Sequence, residues 1–324
     1  MAHPRTTKDV TQAIAKLTSL HDGDQGVIET IACGLAAIPA LRTILFKPEP
    51  SGLYETRRRA VEALAQLRAF DILREYLAYP PNAEDPVERA GDDAVINAAA
   101  RALGTVAGTP DMSLLLALLK GRQLPGLIDA LAHFRQISAM PYYLKALGDD
   151  IARESAEKAI ARLGARARDA LVAAALAPDS ACGRESSMSA LRRRSALKLL
   201  QAIPPPRDVL REFFAALLDD TDPWIVFWTA KLWIAQLDQT ERMRAAARLL
   251  VLLKSADTVL AREIEECFVA NYDLVRAHID AIDTITLDSD RVPIWRSNDY
   301  TRRVFERVKR RVAGFLSPGV RKHE

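Results

Sequence analysis

The sequence predicts an all-α chain, a right-handed α-solenoid of about eight helix pairs with a capping helix at each end. Three observations predict it. Apolar residues recur at spacings of three and four along nearly the whole chain, and no stretch alternates as a half-buried strand would. Turns carrying Gly, Pro and Asp interrupt that pattern at short, regular intervals. The segments "ARALG" (Ala100–Gly104) and "IARLG" (Ile160–Gly164) stand 60 residues apart with one helix pair between them, a mean period of 30. Helix pairs repeating at such a period cannot bury their apolar faces alone and do so by stacking on neighbours.

The elements follow in order. Residues 1–22 form an N-terminal cap whose helix, 7–20, places Val10, Ile14 and Leu17 on one side. The repeats occupy 24–282. A first pair covers 27–38 and 39–46, and a second covers 53–67 and 69–79. A loop at 79–93, rich in Pro and acid, is long enough to suggest a role of its own. The third pair, 92–120, shows the pattern most plainly. Asp92 and Asp93 stand where an N-cap belongs, and Val95, Ala99, Ala102, Leu103 and Val106 share a face. Gly108 suits a left-handed C-terminal turn, Thr109 suits the next N-cap, and Pro110 suits the first helical position. A fourth pair follows at 126–136 and 138–147, a fifth at 149–163 and 165–177, and a sixth at 185–203 and 207–218. The seventh is expected at 222–237 and 240–253, the eighth at 258–270 and 272–282. Residues 283–324 make a C-terminal basic helix and tail. The whole is read as one solenoid domain.

At 49% hydrophobic and 27% charged residues, the chain has the composition of a folded protein rather than a disordered one. The start, MAHPRTTKDV, lacks a signal-peptide apolar region, and no apolar run approaches the roughly 18 residues that span a bilayer. Cys33, Cys182 and Cys267 are distant and odd in number, so a disulfide framework is not expected, and a cytoplasmic protein is. Charge is uneven. Residues 291–324 hold ten Lys/Arg against three acids, +7, leaving 35 basic and 39 acidic groups, −4, in residues 1–290. The body is therefore no basic nucleic-acid binder by composition, and the C-terminal end is an interaction candidate.

The 30-residue period and the Asp-rich junctions before first helices (Asp92-Asp93, Asp149-Asp150, Asp219-Asp220-Thr221-Asp222) resemble the bacterial HEAT-repeat proteins, including those whose short repeats are named after phycobilisome lyases. The resemblance covers most of residues 27–282. It implies an architecture and says little of activity, since such families serve as scaffolds, adaptors, lyase subunits and DNA-repair glycosylases.

Chemistry is sparse in the sequence. His3, His21, His133, His278 and His323 are scattered with no HxxxH or HExxH, and CxxC, GxGxxG and Walker-type loops are absent, so neither a metal nor a cofactor is expected. Cys267 follows Glu265 and Glu266, whose charge disfavours a thiolate. Cys33 lies in an apolar helix, and Cys182, beside Arg184, is the most reactive of the three.

Three stretches could meet a partner. In PWIVFWTAKLW, Trp224, Phe227 and Trp228 share one helical face while Trp233 lies about 180° away. The runs Arg57–Arg58–Arg59 and Arg192–Arg193–Arg194 fan around first helices, and Arg162, Arg166 and Arg168 surround one turn. At 297–315, Tyr300, Val304, Val308, Val312 and Phe315 make an apolar seam, with Arg302, Arg303, Arg307, Lys309, Arg310 and Arg311 around it. The expectation is a non-enzymatic scaffold or adaptor that binds a protein on its concave surface, through Trp224, Trp228, Trp233, Arg193, Arg303, Arg307 and Arg310. The alternative is a DNA-binding protein related to the HEAT-like alkylpurine DNA glycosylases, although the Trp-Trp-Asp segment of that family is missing. An anionic membrane surface is a further partner that the C-terminal helix suggests.

Overall fold

A computed structural model describes residues 7–47, 53–106, 108–181, 184–276 and 299–316. These residues are helical apart from turns and one two-residue antiparallel strand pair, β1 (Ser180–Ala181) and β2 (Arg184–Glu185). No described helix is long and apolar enough to cross a membrane. The chain divides into two compact units, Met1–Ala167 and Arg168–Glu324.

The N-terminal unit contains α1 (Thr7–Lys16), α2 (Gly23–Ala32), α3 (Ile38–Phe46), α4 (Glu55–Gln66), α5 (Phe70–Ala78), α6 (Pro86–Gly104), α7 (Thr109–Gly121), α8 (Pro125–Ala132), α9 (Met140–Ala146) and α10 (Arg153–Leu163). Within it α2, α4, α6, α8 and α10 pack each on the next, while α3, α5 and α7 cover the same side as a second row. The core is built from Leu and Ala: Leu41, Leu45, Leu64, Leu73, Leu103, Leu127 and Leu131 are sealed from solvent, as are Ala60, Ala99 and Ala130. Small residues let backbones approach. A side chain on Gly126 would meet the Asn97 backbone, whose side-chain Oδ1 accepts from the Gly126 amide at 2.7 Å.

The C-terminal unit contains α11 (Arg168–Leu176), α12 (Ser187–Leu200), α13 (Arg207–Phe213), α14 (Pro223–Gln236), α15 (Gln239–Leu252), α16 (Thr258–Ala270) and α17 (Asp299–Leu316). Here α11 packs on α12, α12 on α14, α14 on α15 and α16, and α16 on α17. The predicted fifth pair is thus divided, its first helix in one unit and its second opening the other. Helical structure resumes after α16 at Tyr272–Arg276, and the rest of the predicted eighth pair lies outside the described residues.

Two features recur along the described residues. Intrapair turns turn on a left-handed residue: Gly34 (φ 64°), Arg68 (φ 57°), Arg135 (φ 50°) and Gly164 (φ 59°). Arginine also ties helices of one pair to those of the next. Arg42 reaches Glu75, Arg57 reaches Asp92, Arg74 reaches Asp111 and Arg101 reaches Asp129. In the other unit Arg193 reaches Asp220, Arg194 reaches Asp222 and Arg211 reaches Glu241. The partners stand 27 to 37 residues apart, close to the 30-residue period.

Those pairs correct several expectations. Asp92 and Asp93 cap nothing. Helix α6 starts at Pro86, its N-cap is Asp85, and the Asp85 side chain accepts from the amides of Val87 and Glu88. Asp92, in the second turn, is buried against Arg57 at 2.7 Å, and Asp93 accepts from Arg122 at 2.6 Å. The expected loop 79–93 therefore ends at Asp85, and Arg89 folds back on its Ala83 and Glu84 carbonyls. Gly108 is extended (φ −102°) rather than left-handed and itself caps α7, with Asp111 accepting from its amide at 2.7 Å. The Thr109 cap is thus displaced by one residue.

Candidate partner-binding surface

Helix α14 is apolar almost all round and begins with a strong local signal. The Asp222 side chain accepts from the amides of Trp224 and Ile225, and Pro223 follows at the first position, where a missing N–H costs nothing. Two bonds fix it against α12: Arg194 holds the capping Asp222, and the Gln201 side-chain amide donates to the Trp228 carbonyl at 3.0 Å. With neighbours on α12, α15 and α16, it buries Ile225, Val226, Phe227, Thr229, Ala230, Leu232, Trp233 and Ile234.

One strip stays open. Trp224, Trp228 and Lys231 are half-buried and Ala235 is exposed, and these positions fall within a narrow sector at 100° per residue. The indoles of Trp224 and Trp228 lie at 6.3 Å, 30° between planes, and both meet the buried Phe227 edge-on at 5.8 and 4.9 Å. The Lys231 ammonium sits 5.1 Å from the Trp228 ring and 5.6 Å from that of Phe227. The stack is therefore held by contacts within its own helix, carries one cation, and presents indole surface that neighbouring helices leave uncovered.

The other expected residues fall out differently. Trp233 is only 2% exposed, with the Arg244 guanidinium of α15 5.7 Å from its ring, so it packs the pair rather than a partner. Arg193 is 3% exposed, and its guanidinium bonds Glu185 and Asp220 at 2.7 Å and the Ala175 carbonyl at 2.9 Å. A side chain so enclosed has no free face, and Arg193 is withdrawn as a binding residue. The β1–β2 pair, absent from the sequence reading, is what sets Glu185 beside it.

Both arginine runs are committed internally. Arg57 and Arg59 are buried, the latter on the Leu17 and Ser19 carbonyls at the end of α1, and Arg58 bridges Glu55. Arg192 bonds Asp179, and Arg166 bonds the Arg135 carbonyl. Arg162 is exposed and Arg168 half-buried.

On α17, the seam faces inward. Val304, Phe305 and Val308 are buried, Phe305 against Phe268 of α16, and Thr301 joins them. Val312 is half-buried, while the side chains of Tyr300 and Phe315 lie outside the described residues. Among the described residues that seam packs on α16. Arg307 bonds Glu265 at 2.8 Å and Arg311 bonds Glu266 at 2.7 Å, which leaves Arg303 and Arg310 on the exposed side. The Arg311 hydrogen bond holds the Glu266 carboxyl below its ordinary range.

Among the described residues no group of three or more His, Cys, Asp or Glu could hold a metal ion. A shallow depression of about 510 Å³ between α1 and α2 is lined by Asp9, Gln12, Ala13, Lys16 and Glu29, with the Lys16–Glu29 pair (2.6 Å) across it. Burial, rather than the acids beside it in sequence, pushes the Cys267 thiol up to about 11, with Lys231 opposing. Cys33 is half-buried, and Cys182 lies outside the described residues. Compared with protein-family models and with curated protein sequences, the chain matches none.

Proposed function

We propose that the protein is a non-enzymatic scaffold, built as a right-handed α-solenoid of HEAT-like helix pairs, that takes a protein partner on the open strip of α14. Successive packing of α2, α4, α6, α8 and α10, and of α12, α14 and α16, supports the repeat reading. So does the arginine-to-acid spacing near 30 residues. The observation that carries the function is the half-buried Trp224–Trp228 stack on a helix otherwise enclosed. Tryptophan in a preorganised setting is the side chain most enriched where partners bind tightly. The nucleic-acid reading needs cations free to follow a phosphate backbone. Arg57, Arg59, Arg192, Arg193 and Arg194 are instead engaged with internal acids and carbonyls, which favours the protein reading.

Affinity capture from the native cell tests it, comparing the unaltered chain with a Trp224→Ala/Trp228→Ala variant and with Lys231→Glu. The expected result is one protein retained by the unaltered chain and lost from both variants, with unchanged helical circular dichroism. Equal retention by all three sinks the placement. A shift of single-stranded or duplex DNA at low salt, fading steeply as salt rises, would put nucleic acid in its stead.

A further inference from the structure

The turns after α6, α8 and α10 are neighbours in the N-terminal unit. Gly104, at the end of α6, lies so close to α8 that a side chain on it would meet Ala130 and come within 3.4 Å of the His133 ring. Beyond α10, Arg166 donates to the Arg135 carbonyl, in the turn after α8, at 2.8 Å. One edge thus runs from Val106 through His133, Arg135 and Ile137 to Arg162 and Arg166, and all six side chains are exposed.

Charge along this edge is one-sided. Residues 94–110 and 130–148 contain no acid, and residues 158–169 hold Lys158, Arg162, Arg166 and Arg168 against Asp169 alone. Of the acids further along α8 and α10, Asp129 is bonded by Arg101 at 2.9 Å and Glu154 by Lys158 at 2.6 Å. Glu157 lies about 140° round α10 from Arg162. The Arg166 bond is to a carbonyl, so it leaves the charge unanswered.

Backbone conformation singles out the middle of the edge. Arg135 is left-handed, as are Gly34, Gly164 and Arg68. Glycine takes that conformation freely and a side chain does so under strain, which turns keep where the side chain itself is used.

We infer that this edge is a second interaction surface, independent of α14, and that it takes an acidic segment of a partner protein. The guanidinium forks of Arg135, Arg162 and Arg166 hold its carboxylates, and its apolar side chains lie on Val106 and Ile137, 46% and 45% exposed. A phosphate backbone fits less well. It carries a charge at every step and would also face Asp129, Glu154 and Glu157, whereas a peptide sets carboxylates only where arginines stand. It has no aliphatic side chains to cover Val106 and Ile137.

The probe is a fluorescent peptide of four Glu-Glu-Leu repeats, titrated by anisotropy against the full chain at low salt. A Lys-Lys-Leu peptide and a twelve-residue oligodeoxythymidine are the comparison ligands. The variants are Arg135→Gly, Arg162→Gln and Arg166→Gln, with Lys120→Gln, an exposed cation at the end of α7, as the control for general charge. Only the acidic peptide is expected to bind, weakened about fivefold by each arginine variant and by added salt. Lys120→Gln and Trp224→Ala/Trp228→Ala are expected to leave it unchanged, with helical circular dichroism the same throughout. Arg135→Gly is the sharpest variant, because relief of strain and loss of binding move in opposite directions. No binding of the acidic peptide, binding that survives all three arginine variants, or equal loss in Lys120→Gln overturns the inference. So does loss confined to Arg303→Gln/Arg310→Gln, which would move the surface to α17. Tighter, Arg135-dependent binding of the oligonucleotide would put nucleic acid in place of the peptide. None of these outcomes bears on capture through Trp224 and Trp228, so the two readings fail separately.

Discussion

Helices α6 and α14 hold the same place in their units and are put to opposite use. Each packs on the first helix before it and the one after, and each opens on a capping Asp followed by Pro. Aligned on those caps, Val87 of α6 stands where α14 has Trp224, Gly91 stands for Trp228, Ala94 for Lys231 and Ala98 for Ala235. Both helices leave one sector open, yet past Val87, 64% exposed, α6 lines it with Ala90, Ala94, Ala98 and Arg101. An Ala-lined sector offers little area to desolvate and few contacts; a stacked indole pair offers both. Position between neighbouring helices sets what can be exposed, and side-chain size sets whether exposure can bind.

The largest test of that shared frame is its buried charge. Arg57 on Asp92 locks α4 to α6, and Arg193 on Asp220 and Glu185 locks α12 to the start of α14. Arg57→Ala strands the buried Asp92 carboxylate and Arg193→Ala strands two half-buried ones, Glu185 and Asp220, and each is expected to cost about 3–5 kcal/mol by urea unfolding. Arg101→Ala, removing a solvent-exposed pair with Asp129, is expected to cost under about 1 kcal/mol. A small loss at Arg193 with a large one at Arg57 would mean the two units are not held alike.

Next in size is an alkaline effect confined to the side of α14 that α16 covers. The Cys267 thiol is raised from 9.0 to about 11 in the folded chain, so the unfolded chain loses this proton first. Stability present below pH 9 is lost as pH climbs toward 11, by roughly 2–3 kcal/mol relative to a Cys267→Ala variant. Urea unfolding of both proteins at pH 8 and 10.5 checks the sign; parallel curves would show that solvent reaches the thiol.

The aromatic strip itself should matter more to binding than to folding. Trp228→Ala is expected to cost about 1–2 kcal/mol of stability, since the ring is only half-buried, while abolishing partner capture. Ala94→Leu on α6 adds apolar surface at the cognate sector and should leave capture untouched. Loss of capture there would move the binding surface to the N-terminal unit.

The smallest expected effect is a gain. Arg135 adopts a left-handed conformation that Gly34 and Gly164 adopt freely in the cognate turns. Arg135→Gly should stabilise by about 1 kcal/mol in thermal melts, less what glycine adds to the unfolded chain's entropy. No gain would mean that the bond from Arg166 to the Arg135 carbonyl already fixes the turn.

Helix positions were legible in the sequence because their signals are local: apolar spacing, Pro at first positions, Gly at turns. The errors arose where a side chain answers to something distant. Asp92 and Asp93 look like caps because their partners, Arg57 and Arg122, stand 35 and 29 residues away. Asp85-Pro86 was the cap, hidden inside a segment whose prolines and acids suggested a loop. For α14 the helical wheel separated Trp233 from Trp224, but it could not say which face a neighbour covers. Arg193 shows the same limit: three adjacent arginines look like surface until the acids that enclose one of them are placed.

The arginine ties also bear on how such a chain grows. At Arg57–Asp92, Arg74–Asp111 and Arg193–Asp220 the base lies earlier in the chain and the acid later, whereas Arg122 reaches back to Asp93. A duplicated helix pair would bring its own acid to the copy before it and its own base to the copy after, so tandem copying leaves no charge orphaned. Helix α17 uses the backward order twice, Arg307 and Arg311 reaching back to Glu265 and Glu266.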